Sequence, residues 1–71
     1  MLSPDDYRAY ASAARAAAAE YRVEAVTEKE PRKSYLLTQA EQRDEHADFY
    51  ESRADITEDY QLRHALKQEA A

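Results

Sequence analysis

Between Tyr7 and Ala25 the bulky or apolar side chains recur at Tyr7, Ala11, Ala14, Ala18, Tyr21 and Ala25, in alternating steps of four and three residues. That alternation is a heptad seam, the mark of a helix packed lengthwise against another. The same steps return at Leu36, Ala40, Arg43, Ala47, Tyr50 and Ala54. Between the two stretches lies Lys29-Glu30-Pro31-Arg32-Lys33-Ser34, where Pro31 removes an amide donor and pushes Glu30 out of helical geometry. The pattern predicts two helices, about residues 4–28 and 35–54, folded antiparallel about a turn at 29–34. Tyr7 then meets Ala54, Ala11 meets Tyr50, Ala14 meets Ala47, Ala18 meets Arg43, Tyr21 meets Ala40 and Ala25 meets Leu36. Four of these six layers set a large apolar or aromatic residue against an alanine, the filling that close packing needs.

The ends of the elements carry their own signals. Ser3-Pro4-Asp5-Asp6 reads as a helix start, with Ser3 as cap, Pro4 in the first turn and two acids at the positive end of the dipole. Ser34 or Pro31 can open the second helix, and with no glycine in the chain the turn has no glycine cap. Past Ala54 the seam continues only as Thr57, Gln61, His64 and Gln68, all polar. Asp55-Ile56-Thr57-Glu58 has the spacing of a capping box. We therefore expect a break near Asp55 and a shorter third helix over about 56–69, with Ile56, Tyr60, Leu62, Leu66 and Ala70 on one broad arc. The alternative is one long second helix, since nothing there forbids it.

Charge supports the pairing. Arg8, Arg15 and Arg22 recur at heptad intervals beside the first seam, and Asp44, Glu51 and Glu58 occupy the matching flank of the second stretch. In an antiparallel pair these flanks face one another, while Glu41, Asp48 and Asp55 extend the acidic stripe outward. On the opposite flank Tyr10 and Ala17 face Arg53 and His46, which allows a cation–π contact.

Composition sharpens the picture. Of 71 residues 15 are alanine, while Leu, Ile, Val and Phe together number nine. A single domain over residues 1–71 with so thin a core sits below the size at which burial alone stabilises a fold comfortably, so dependence on a partner is expected. Cysteine is absent, which removes disulfides, thiol nucleophiles and thiolate metal sites and fits a cytoplasmic setting. No stretch approaches the roughly 20 apolar residues of a membrane span, and the acidic start MLSPDDYRAY is unlike a secretory signal. The net charge of −5 argues against direct nucleic-acid binding.

Candidate chemistry is sparse. His46 lies among Asp44, Glu45 and Asp48, but the i, i+3 Glu/His pairing of carboxylate-bridged bundles is spoiled by Arg43. His64 has no acid at helical spacing behind it. There is no nucleophile elbow, phosphate loop or apolar carboxylate pair. We expect no enzyme, no cofactor and no metal. Tyr35, Leu37, Phe49, Val23 and Val26 point away from the seam, so either the third helix folding back or a second chain should cover part of that surface. With Tyr60, Leu62 and Leu66, residues Tyr35, Leu37 and Phe49 form the candidate protein-binding set, aromatic anchors being enriched in interface cores.

These observations point to an all-α fold, an antiparallel helical hairpin with a shorter C-terminal helix, dimerising into a bundle. The expected function is a small non-enzymatic interaction or regulatory module, pairing with a protein partner or a second copy of itself. The alternative is an acidic inhibitor or nucleic-acid mimic of phage or mobile-element type. Its stripe of Glu41, Asp44, Asp48, Glu51 and Asp55 would imitate a phosphate backbone for a nucleic-acid-processing protein.

Overall fold

A computed structural model describes residues 2–70. The chain forms two helices, α1 (Pro4–Thr27) and α2 (Arg32–Ala70). Contacts step down their length, from Arg32–Glu24 beside the turn, through Arg22–Asp44 and Arg15–Glu51, to Arg8–Glu58 at the open end. That order makes the pair antiparallel. α1 starts where the sequence says it should: the Ser3 hydroxyl accepts from the Asp6 amide at 3.1 Å, and the Asp6 carboxylate accepts from the Ser3 amide at 3.0 Å. This reciprocal capping box satisfies two amides that the first turn leaves without partners.

The turn needs no glycine because its residues avoid positive φ altogether. Glu28 closes α1 in extended geometry, its amide donating to the Ala25 carbonyl at 3.3 Å. α2 opens immediately after Pro31, whose carbonyl accepts from the Tyr35 amide at 3.2 Å. Ser34 is therefore inside the helix, and its hydroxyl donates to the Glu30 carboxylate instead of capping.

The core is the seam and little else. Its buried apolar members are Ala11, Ala18, Ala25, Leu36, Ala40, Ala47 and Ala54, every one a position picked out by the heptad spacing. Tyr7, Ala14, Tyr21 and Tyr50 are half-buried, and Leu36 is the one large side chain fully enclosed, at 1% exposure. Alanine dominates because its small side chain lets two helix axes approach at the short end of the usual range of about 8–10 Å. Arg43 departs from the expected seam. It is exposed, and its neighbour Asp44 turns partly inward to meet Arg22 and Arg15.

The expected third helix is absent, for α2 runs unbroken from Arg32 to Ala70. The groups that would have capped it are engaged elsewhere: the Asp55 and Glu58 carboxylates both reach across to Arg8, at 3.6 and 2.8 Å. With no Gly or Pro in between, the backbone has no reason to leave helical geometry. The seam also runs one layer further than its polarity suggests. Thr57 is 4% exposed, and among the described residues no buried side-chain polar atom lacks a hydrogen-bond partner.

At about 1.5 Å per residue, α1 spans roughly 36 Å and α2 roughly 58 Å. The molecule is a rod of 63 × 16 × 13 Å. Beyond Glu58, about three turns of α2 project past the start of α1, with every side chain from Glu58 to Glu69 exposed.

Candidate functional site

Two helices packed along one seam make a ribbon with two broad faces. One is ionic. Arg15 donates to Glu51 from Nε and from a terminal nitrogen, both at 3.0 Å, and to Asp48 at 2.9 Å. Arg22 pairs with Asp44, and Arg8 reaches Glu58, Asp55 and, within α1, Asp5. The heptad interval between the arginines and the matching interval between the acids turn this into a ladder. Charge-assisted hydrogen bonds that Arg15 donates to Glu51 and Asp48 raise its pKa above the ordinary guanidinium value, and the bond Arg8 donates to Glu58 does the same for Arg8. A shallow groove of about 490 Å³ runs along this face, lined by Arg8, Ala11, Ser12, Arg15, Glu51 and Asp55.

The acidic stripe is thus largely internal to the ribbon's own pairing. Asp44, Asp48, Glu51 and Asp55 each face a guanidinium, including Asp48 and Asp55, which the sequence reading placed outside the pairing. The arginine side chain is long enough to reach carboxylates on two successive turns, which residue-by-residue pairing overlooks. Of the stripe, Glu41 has no ion-pair partner among the described residues.

The other face is aromatic. Tyr50 packs against Tyr10 at 5.5 Å between ring centroids, against Phe49 at 5.7 Å and against Tyr7 at 6.5 Å. The Arg53 guanidinium lies 5.9 Å over the Tyr7 ring. The cation–π contact expected for Tyr10 goes to Tyr7, because Tyr10 is already tilted onto Tyr50. A groove of about 270 Å³ follows this side, bounded by Tyr10, Ala13, Ala14, Ala17, Arg43, His46 and Tyr50.

Continuity of α2 decides which exposed apolar residues share this face. Tyr35, Phe49 and Ile56 stand one or two heptads apart on the same helix, and Tyr60 follows Arg53 by one heptad. All four are more than half exposed, Phe49 at 60%. Heptad spacing puts Leu37 with Asp44 and Glu51, and Leu62 with Asp48 and Asp55, so both belong to the ionic side. Leu66 lies on the projecting turns, on the outer side of α2, and Val23 and Val26 remain exposed on α1. The predicted binding set therefore divides: the structure brings Tyr35, Phe49 and Tyr60 together and separates them from Leu37, Leu62 and Leu66. Ile56, Tyr10 and Arg53 are the additions. In sequence Ile56 reads only as the first apolar residue of a separate third helix, which hides its place one heptad after Phe49 on a single helix.

The histidines are structural neighbours of aromatics and amides. His46 borders the aromatic groove, while Asp44 and Asp48 on either side of it turn to the arginines of α1. His64 stacks flat on Tyr60 at 6.1 Å and lies 3.2 Å from the Gln68 amide. Among the described residues no three His, Cys, Asp or Glu side chains gather as a metal site would require. No helix among the described residues is long and apolar enough to cross a membrane.

The fold is thus an all-α helical hairpin with one ionic and one aromatic face. Comparison with known proteins adds no relative: no family model, curated protein or solved structure matches the chain.

Proposed function

We propose that this chain is a small, non-enzymatic protein-interaction module that works through the aromatic face of its α2 helix and self-associates there. The observation that carries the reading is the exposure of Tyr35, Phe49, Ile56 and Tyr60 along one side of a single helix. Scattered exposed apolar residues are ordinary on small proteins. A row at heptad spacing, backed by a ring cluster, has the form of an unpartnered packing surface. The remaining turns of α2 project away from the hairpin, so no part of α2 folds back over that row. Grooves this open, lined by alanine and exposed side chains, offer no water-excluded place for chemistry.

The acidic-mimic reading draws less support, because most of the stripe is neutralised by Arg8, Arg15 and Arg22. The discriminating experiment is photocrosslinking in the native host, with a photoreactive residue at Phe49 in one version and at Glu41 in another. Protein adducts at Phe49 and none at Glu41 support the interaction module. Adducts confined to Glu41, on a nucleic-acid-binding protein, favour the mimic. No protein adduct at either position would sink both.

A further inference from the structure

We infer that the occupant of the aromatic face is a second copy of the chain, stacked end for end about a two-fold axis level with Ala47. The inference deepens the interaction-module reading and rests on it. Two contacts establish the levels of the two helices: Tyr10 lies beside Tyr50, and Tyr7 lies beneath Arg53. An axis placed near residue 47 then relates several features of one face to one another. Tyr35 comes level with Tyr60 of the second copy, stacking α2 on α2 at both ends of the contact. His46 comes level with Phe49. On α1, Tyr10 comes level with Ala17, a large residue over a small one in the groove that both line.

Charge agrees with the same axis. Glu20 comes level with Tyr7 of the second copy, the ring over which the Arg53 guanidinium lies. Within the described residues neither Glu20 nor Arg53 takes part in an ion pair, although the arginines of the ionic face are all engaged. Among the described residues each copy thus presents an unpaired acid, Glu20, toward the turn and an unpaired base, Arg53, toward the open end, with a further unpaired base, Arg43, between them, and inversion end for end brings Glu20 toward Arg53 of the second copy.

The area is adequate. Overlap from Arg32 to about Arg63 covers roughly 47 Å of helix at 1.5 Å per residue. With α1 covering only about 36 Å of that length and each helix half of the 16 Å breadth, that is roughly 660 Å² per copy, within the ~600–1,000 Å² per partner of a standard stable interface. The product is an all-antiparallel four-helix bundle with a few turns of α2 protruding at each end.

Sedimentation equilibrium on the full chain, with helicity followed by circular dichroism, tests this. The wild-type protein should be a dimer whose dissociation constant rises at least about tenfold, or 1.4 kcal/mol, in the double variant Phe49→Lys, Ile56→Lys. Leu37→Lys on the ionic face should leave it unchanged. Glu20→Arg and Arg53→Glu should each weaken the dimer, and combining them should restore it. A dimer indifferent to the Phe49 and Ile56 changes, or weakened by Leu37→Lys, overturns the choice of face. A charge swap that fails to rescue overturns the end-for-end axis. A helical monomer up to about millimolar concentration, the range of negligible affinity, overturns self-pairing. In that last case protein adducts at Phe49 would still uphold the interaction module with another partner.

Discussion

The ionic and aromatic faces of the hairpin grow from the same heptads, on either side of the same seam, yet they end in opposite states. On the ionic side every arginine of α1 finds carboxylates on α2, so its basic stripe is fully paired within one chain. On the aromatic side the rings cluster around Tyr50 but leave Phe49, Ile56, Tyr35 and Tyr60 in water, with Glu20 and Arg53 outside every ion pair among the described residues. The contrast separates two uses of surface in a protein with almost no interior. Ion pairs between exposed groups contribute little energy but choose orientation and register. Exposed apolar area contributes nothing until something covers it.

The largest expected effect removes what both faces share. Leu36→Ala should destabilise by about 2–5 kcal/mol, comparable to the whole stability of so small a domain. Thermal melts should show a chain unfolded or nearly so at room temperature. Retention of a cooperative, wild-type melt would mean that the faces themselves hold the hairpin together.

Next in size is overfilling the seam. Ala47→Leu inserts bulk where the alanine is fully buried, and should cost about 1–3 kcal/mol with a lower melting temperature. A neutral result would show that the helix axes can separate without loss.

The ionic face should respond more weakly. Arg15→Ala severs bonds to Glu51 and Asp48, but its side chain is 43% exposed, so a smaller loss than for either seam variant is expected, water screening most of the attraction. Added salt should narrow the gap between variant and wild type. The pKa of Arg15 is raised in the folded state, so its stabilisation is complete below the unfolded arginine value and disappears only as pH rises through the higher folded one. Loss of this contribution between about pH 7 and 9, far below the arginine range, would contradict the ladder. A larger loss in Arg15→Ala than in Ala47→Leu would reverse the ranking of face and seam.

The smallest effect on monomer stability belongs to the aromatic face. Phe49→Lys should change the melting of dilute monomer by no more than about 0.5 kcal/mol, as for an ordinary surface site. A strongly destabilised monomer would mean that Phe49 serves the hairpin rather than a partner.

Much of the fold was legible in the chain. Steps of four and three residues located each buried apolar residue, because a seam between two helices imposes that period directly on sequence. Ser3 and Pro31 marked the element boundaries for equally local reasons, through side-chain capping and a missing amide. Arg8, Arg15 and Arg22 announced their partners by interval. The site was less legible. Asp55 and Glu58 have the spacing of a capping box, and local spacing cannot tell whether those carboxylates will bind their own backbone or a guanidinium 50 residues away. Only the folded hairpin resolved that competition, in favour of Arg8. With it went the continuity of α2, the burial of Thr57, and the placing of Ile56 and Tyr60 in one row with Phe49. Periodicity and caps are short-range properties that a sequence determines by itself. Which of several satisfied partners a polar side chain takes depends on what folding brings within reach, and tertiary structure alone decides it.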